Sequence, residues 1–79
     1  MPTVLFINGC RFVIWPADHE PPHLHVFKGD GEAKVAIDQP RLMQVIGLSK
    51  QEARFILSTV ITHQAELLKE WEKIHGKSN

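Results

Sequence analysis

The residues that could do chemistry sit mostly in one stretch, Asp18-His19-Glu20-Pro21-Pro22-His23-Leu24-His25. It holds three of the chain's five histidines, two carboxylates and two of the five prolines. Imidazole is the side chain that gains and loses a proton near neutral pH, and it is also the commonest nitrogen ligand of metals. His23 and His25 stand two apart at the start of a β-rich run, so on a strand they project to the same side. The two prolines hold φ near −65° and stiffen the approach. Asp18 and Glu20 are placed to orient an imidazole by accepting its second N–H. His63, with Glu66 three residues on, lies on the border of a helical apolar stripe and is a further candidate for the same neighbourhood. Arg11 and Lys34 are strand-borne cations that could contact a phosphate.

Three readings follow from these residues. In the first, His23 and His25 form a metal-independent acid–base pair for phosphodiester cleavage, with His19 or His63 as accessory and Arg11 or Lys34 neutralising the phosphate. In the second, imidazoles hold a transition metal; His19, His23 and His25 are the ligands the spacing offers. No cysteine pair supports that spacing, and no cofactor is expected. In the third, the histidines only shape an ordered loop, satisfied by backbone and carboxylate hydrogen bonds.

The flanking chain must position this loop. Thr3 to Ile7 and Cys10 to Trp15 are apolar, β-branched runs around Asn8-Gly9, a hairpin signal because a type I′ turn needs positive φ at both central residues. In the second run Cys10, Phe12 and Ile14 alternate with Arg11, Val13 and Trp15, and both sets contain apolar residues. Pro16 ends the strand. Leu24 to Lys28 reads as a third strand with His25 and Phe27 on one side. Glu32 to Ile37 reads as a fourth, joined through Gly29-Asp30-Gly31, which is a hairpin turn rather than a phosphate cradle because no helix begins beside it. Arg41 to Ile46 fits a short helix or a strand. Ser49-Lys50-Gln51-Glu52 is a capping box. From Lys50 to about His75, Ala53, Ile56, Leu57, Val60, Ile61, Leu67, Leu68, Trp71 and Ile74 keep the spacing of one helical stripe. Such a helix, roughly 39 Å long, overhangs strands of ~17–20 Å. Lys69 to Lys73 reads as a solvated mixed-charge face with Trp71 turned inward.

Length and composition set the outer bounds. Seventy-nine residues make one domain, expected over 1–75 with a frayed tail at 76–79. Nine basic side chains balance nine acidic ones. The fold therefore offers no basic excess for phosphate neutralisation, which argues against sequence-specific DNA binding. RNA stays a candidate through a local patch. Near-zero charge also lowers self-repulsion and favours a small partner protein or a homodimer. A single cysteine, Cys10, excludes an intrachain disulfide and fits a reducing cytoplasm. No apolar run is long enough to cross a membrane.

The whole pattern resembles a family of small bacterial proteins catalogued as domain of unknown function 4160. The resemblance rests on Met1 to Leu5, Asn8-Gly9, Asp18 through Val26, Lys28 through Lys34, Gly47-Leu48-Ser49 and His63 through Trp71. The His-Glu-Pro-Pro-His-x-His core is its most specific part. Trp15-Pro16-Ala17 and Gln39-Pro40-Arg41 depart from the usual members. The resemblance implies a cytoplasmic bacterial protein that is the toxin-like half of a toxin–antitoxin module, with an antitoxin-like partner. By resemblance His19, Pro21, Pro22, His23, His25, His63, Glu66 and Trp71 match the family pattern, with no catalytic role attached. The expected fold is α+β: a four-stranded antiparallel meander of two hairpins, a short connecting element, and one long C-terminal helix packed on the sheet.

Overall fold

The structure, a computed structural model, describes residues 3–76. The tail expected to fray lies outside the described residues apart from Gly76. Five strands form one antiparallel meander in the order β1-β2-β3-β4-β5: Thr3–Ile7, Cys10–Val13, His23–Lys28, Gly31–Ala36 and Arg41–Ile46. Two helices follow, α1 over Lys50–Thr62 and α2 over Gln64–His75. The α+β class is as expected. Two details differ from the expectation.

The first is the strand count. Arg41–Ile46, which suited a helix or a strand, pairs along β4 as a fifth strand. Val45 and Ile46 are β-branched and favour the strand, and an edge strand needs only one paired side. The second is the helix, which breaks at His63. Thr59-Val60-Ile61-Thr62 is a run of β-branched residues, each poor in a helix. The Thr59 hydroxyl donates back to the Phe55 carbonyl at 2.8 Å, a bond that bends helices. The His63 ring Nδ1–H then donates to the Thr59 carbonyl at 3.0 Å, and His63 leaves helical backbone angles at φ −105° and ψ 18°. The Gln64 amide donates to the carbonyls of Ile37 and Asp38 at 2.9 and 3.0 Å, tying the start of α2 to the end of β4.

Local signals hold elsewhere. Asn8 and Gly9 both take positive φ, 50° and 76°, as the β1–β2 turn requires. Ser49 caps α1 with the full capping box.

Register decides what each face carries, because directly paired residues share a face. On one face Cys10, Phe12, Leu24, Val26, Ala33 and Val35 meet Ile56 and Val60 of α1 and Leu67 and Trp71 of α2 in the core. Each of these side chains is almost wholly buried. At ~1.5–3 kcal/mol per large apolar side chain, this burial is the main force holding helices to sheet. On the other face Val13 pairs with His25, His25 with Lys34, and His23 with Ala36. Val13 and Ala36 on that face are fully buried. The loop between β2 and β3 folds over them. It is pinned by Asp18 N–H to the Trp15 carbonyl at 3.1 Å and by Ile37 N–H to the Pro22 carbonyl at 3.0 Å. No helix among the described residues is long and apolar enough to cross a membrane.

Candidate functional site

The covered end of the second face carries the histidines. β3 begins at His23, so His23 and His25 project to the same side, as the spacing requires. Their rings stand 5.5 Å apart in an edge arrangement. The loop brings Asp18 over both. Its Oδ2 lies 3.4 Å from His23 Nε2 and 3.5 Å from His25 Nε2. These are ion-pair distances, but neither contact meets hydrogen-bond geometry. Asp18 Oδ2 is buried and accepts no hydrogen bond among the described residues.

The far nitrogens explain why that arrangement matters. His23 Nδ1 is 2.9 Å from the Pro21 carbonyl. A carbonyl only accepts, so Nδ1 carries the proton, and in the neutral ring Nε2 presents a bare lone pair. That lone pair faces a carboxylate oxygen, which is also an acceptor. His25 Nδ1 faces Glu32 Oε2 at 3.7 Å, again leaving Nε2 toward Asp18. Three electron-pair donors therefore converge, one each from Asp18, His23 and His25, all within 4.8 Å of one another. A cation between the three would satisfy all of them, as would a proton on an imidazole nitrogen facing Asp18.

The helices supply the back wall. Trp71 of α2 stands 5.5 Å from the His23 ring. Its indole N–H donates to Glu20 at 3.3 Å, and His75 stacks on its other side at 3.8 Å. In front, a cleft of about 270 Å³ is lined by Asp18, His19, Glu20, His23, Lys34 and Met43, among others. Met43 reaches it through a bulge. Lys34 pairs with Gln44 and Val35 with Leu42, so Met43 is the extra residue and is turned toward the loop.

The residues singled out in the sequence divide accordingly. His23 and His25 come together, and Asp18 joins them as an equal member rather than only an orienting group. Lys34 lines the cleft. His19 is exposed on the cleft wall and outside the converging trio, so the candidate metal set is Asp18, His23 and His25 rather than His19, His23 and His25. Glu20 is engaged by Trp71 and orients no imidazole. His63 is held at the helix break by Thr59 and makes no hydrogen bond or ion pair with the loop among the described residues; α2 instead delivers Trp71. Glu66 makes no ion pair with the loop among the described residues. Arg11 pairs with Phe27, one step down the sheet from His25, and its guanidinium lies 5.9 Å from that ring's centroid rather than in the cleft.

Glu32 was the residue that reading along the strand missed, since it looked like the polar side of β4. Counting register from a two-residue Gly29-Asp30 turn finds it: Lys28 then pairs with Gly31, and Glu32 lies diagonal to His25.

Cys10 takes no part. It lies on the opposite, core face, and burial pushes its thiol up from the ordinary range.

No curated protein and no solved structure matches this chain. The family model described as a domain of unknown function, DUF4160, matches residues 9–72, a span that takes in the loop, strands β2 to β5, α1 and most of α2; the chain belongs to that family.

Proposed function

We propose that the chain is a metal-binding protein whose centre is formed by Asp18, His23 and His25, and that its chemistry is metal-assisted hydrolysis. One observation carries this reading. A buried, unbonded carboxylate oxygen sits 3.4 and 3.5 Å from two imidazole nitrogens, and the His23 nitrogen faces it with its lone pair. Ligands on a tetrahedral ion with bonds of about 2.0–2.1 Å stand about 3.3–3.4 Å apart. Octahedral coordination at that bond length brings neighbours to about 3.0 Å. The two separations from Asp18 fit a tetrahedral ion such as zinc, and two imidazoles with one carboxylate are a ligand set of hydrolytic zinc centres. The outer contacts agree, since metal-bound histidines give their second N–H to a carbonyl or carboxylate: His23 does so to the Pro21 carbonyl, and the Glu32 carboxylate lies 3.7 Å from the second nitrogen of His25. A fourth position facing the cleft would hold water, whose proton a bound zinc loosens to about pH 7.

The toxin-like role implied by the family resemblance, with RNA cleavage as its activity and an antitoxin-like partner in the cytoplasm, belongs to this proposal as its biological setting. On this reading His23 and His25 hold metal and do not act as the free acid–base pair. The same three side chains would serve the metal-independent alternative, and one titration separates the two. Protein purified without a histidine tag and stripped with chelator is titrated with zinc, and bound metal is measured by elemental analysis. About one zinc per chain is expected. Asp18→Asn, His23→Ala and His25→Ala lose it, while His19→Ala and His63→Ala keep it. Circular dichroism checks that each variant is folded. Zinc uptake that is absent in the parent protein, or unchanged in folded Asp18→Asn, refutes the metal reading. Growth inhibition on expression, lost in Asp18→Asn, tests the toxin-like setting.

A further inference from the structure

Resting on that metal reading, we propose that the cleft's ligand is a phosphate oxyanion, with Lys34 as the side chain that binds it. Among the described residues, Lys34 is the only basic side chain on the cleft wall besides histidine. It is half-buried on β4, paired with His25 on one side and Gln44 on the other, so it rises from the same face as the metal trio. Among the described residues it forms no ion pair, whereas Lys28 reaches Glu52 at 3.5 Å and Lys73 reaches Glu70 at 3.0 Å. An ammonium that is half out of water and lacks a carboxylate partner is suited to an incoming anion.

Charge says which anion. The cleft wall carries two carboxylates, Asp18 and Glu20, against the one ammonium of Lys34. Without metal it repels anions. A divalent ion on Asp18, His23 and His25 reverses the sign and leaves one positive charge. A phosphodiester, with its single negative charge, restores neutrality. One phosphate oxygen then lies toward the metal and a second toward the Lys34 ammonium. His19, exposed on the same wall, is a further donor. The phosphate can come from an RNA backbone or from a small phosphate compound. The chemistry is common to both, and the experiment tells them apart.

Zinc-loaded full-length protein is titrated calorimetrically with inorganic phosphate and, separately, with a single-stranded ten-nucleotide uridine RNA. Lys34→Met and Lys34→Arg are compared with the parent, and zinc content is measured on every sample. The expected result is phosphate-type binding that needs zinc, falls about ten-fold or more in Lys34→Met and is largely kept in Lys34→Arg, with zinc content equal in all three. RNA bound more tightly than inorganic phosphate assigns the source to a nucleic-acid backbone. Phosphate bound with RNA excluded assigns it to small phosphate compounds. If zinc is bound but Lys34→Met titrates like the parent, or metal-free protein binds equally well, the phosphate proposal is overturned and the metal reading survives. If zinc itself is not bound, the metal reading falls and takes this proposal with it.

Discussion

Gly31→Ala is the sharpest test of how tightly the scaffold around the site is built. Gly31 opens β4, one residue before Glu32, and pairs with Lys28. A Cβ added there collides with Leu48 Cδ2 and falls 2.8 Å from Leu48 Cγ and 2.6 Å from the Gly47 carbonyl oxygen. Leu48 can turn aside. The carbonyl cannot, because it belongs to the backbone joining β5 to α1, where Gly47 already holds a φ of 68°. Overpacking costs ~1–3 kcal/mol, and relief here needs a backbone shift, so the upper end, ~3 kcal/mol, is expected. Against a total of ~4–12 kcal/mol for a domain of this length, that is a large share. With a urea dependence of ~1 kcal/mol per molar, the unfolding midpoint falls by ~2–3 M. The assay is urea unfolding followed by tryptophan fluorescence. Gly29→Ala is the control: nothing lies within 4 Å of its Cβ, but its φ is +55°, so only the left-handed backbone cost of ~1–2 kcal/mol applies. A Gly31→Ala variant within ~0.5 kcal/mol of the parent, the range of a surface change, or one milder than Gly29→Ala, refutes the claim that close approach to Gly47 sets this corner.

Other expected outcomes follow from single contacts. The Ser49 backbone N–H, helped by Lys28, holds the Glu52 carboxyl below its ordinary range. A lowered folded value means that the stabilisation is present above the unfolded value near 4.5 and is lost as pH falls through the folded one. Glu52→Gln should therefore be less stable than the parent at pH 7 and converge with it in acid; a gap that persists at pH 2.5 contradicts this. Cys10 is fully buried with its thiol raised. Thiol reagents should modify it only as fast as the protein unfolds, and rapid labelling of native protein would contradict its placement. Trp71→Phe removes the indole donor to Glu20 and should cost ~0.5–1.5 kcal/mol in urea unfolding. Glu32→Gln weakens the support behind His25 and should lower zinc affinity about ten-fold, measured by competition with a chelating dye; unchanged affinity removes Glu32 from the site.

Sequence reasoning reached the parts of this structure that rest on local chemistry. The Asn8-Gly9 turn, the Ser49 capping box and the shared projection of His23 and His25 each depend on residues a few positions apart. The site was half legible for the same reason, since the loop and β3 are contiguous. What escaped depends on register and on helix bending. Glu32 reaches His25 only because the β3–β4 turn has two residues. The helix was expected to deliver His63, but the β-branched run before it breaks the helix there. Trp71, two turns further on, faces the loop instead. The bulge that turns Met43 inward leaves no signature in Arg41–Ile46.

The hydrogen bond between Glu20 and Trp71 joins residues 51 positions apart, and this separation governs how the site is made. On a ribosome adding ~5–20 residues per second, the histidine loop is synthesised roughly 3–10 seconds before its back wall exists. Strands β2 and β3 can pair in that interval, so Asp18, His23 and His25 can meet while the side later closed by Trp71 is still open to water. The nascent chain thus passes through a stage with the ligands present and the enclosure missing. Metal capture at that stage would precede completion of the fold, and the last helix would close over a centre already loaded.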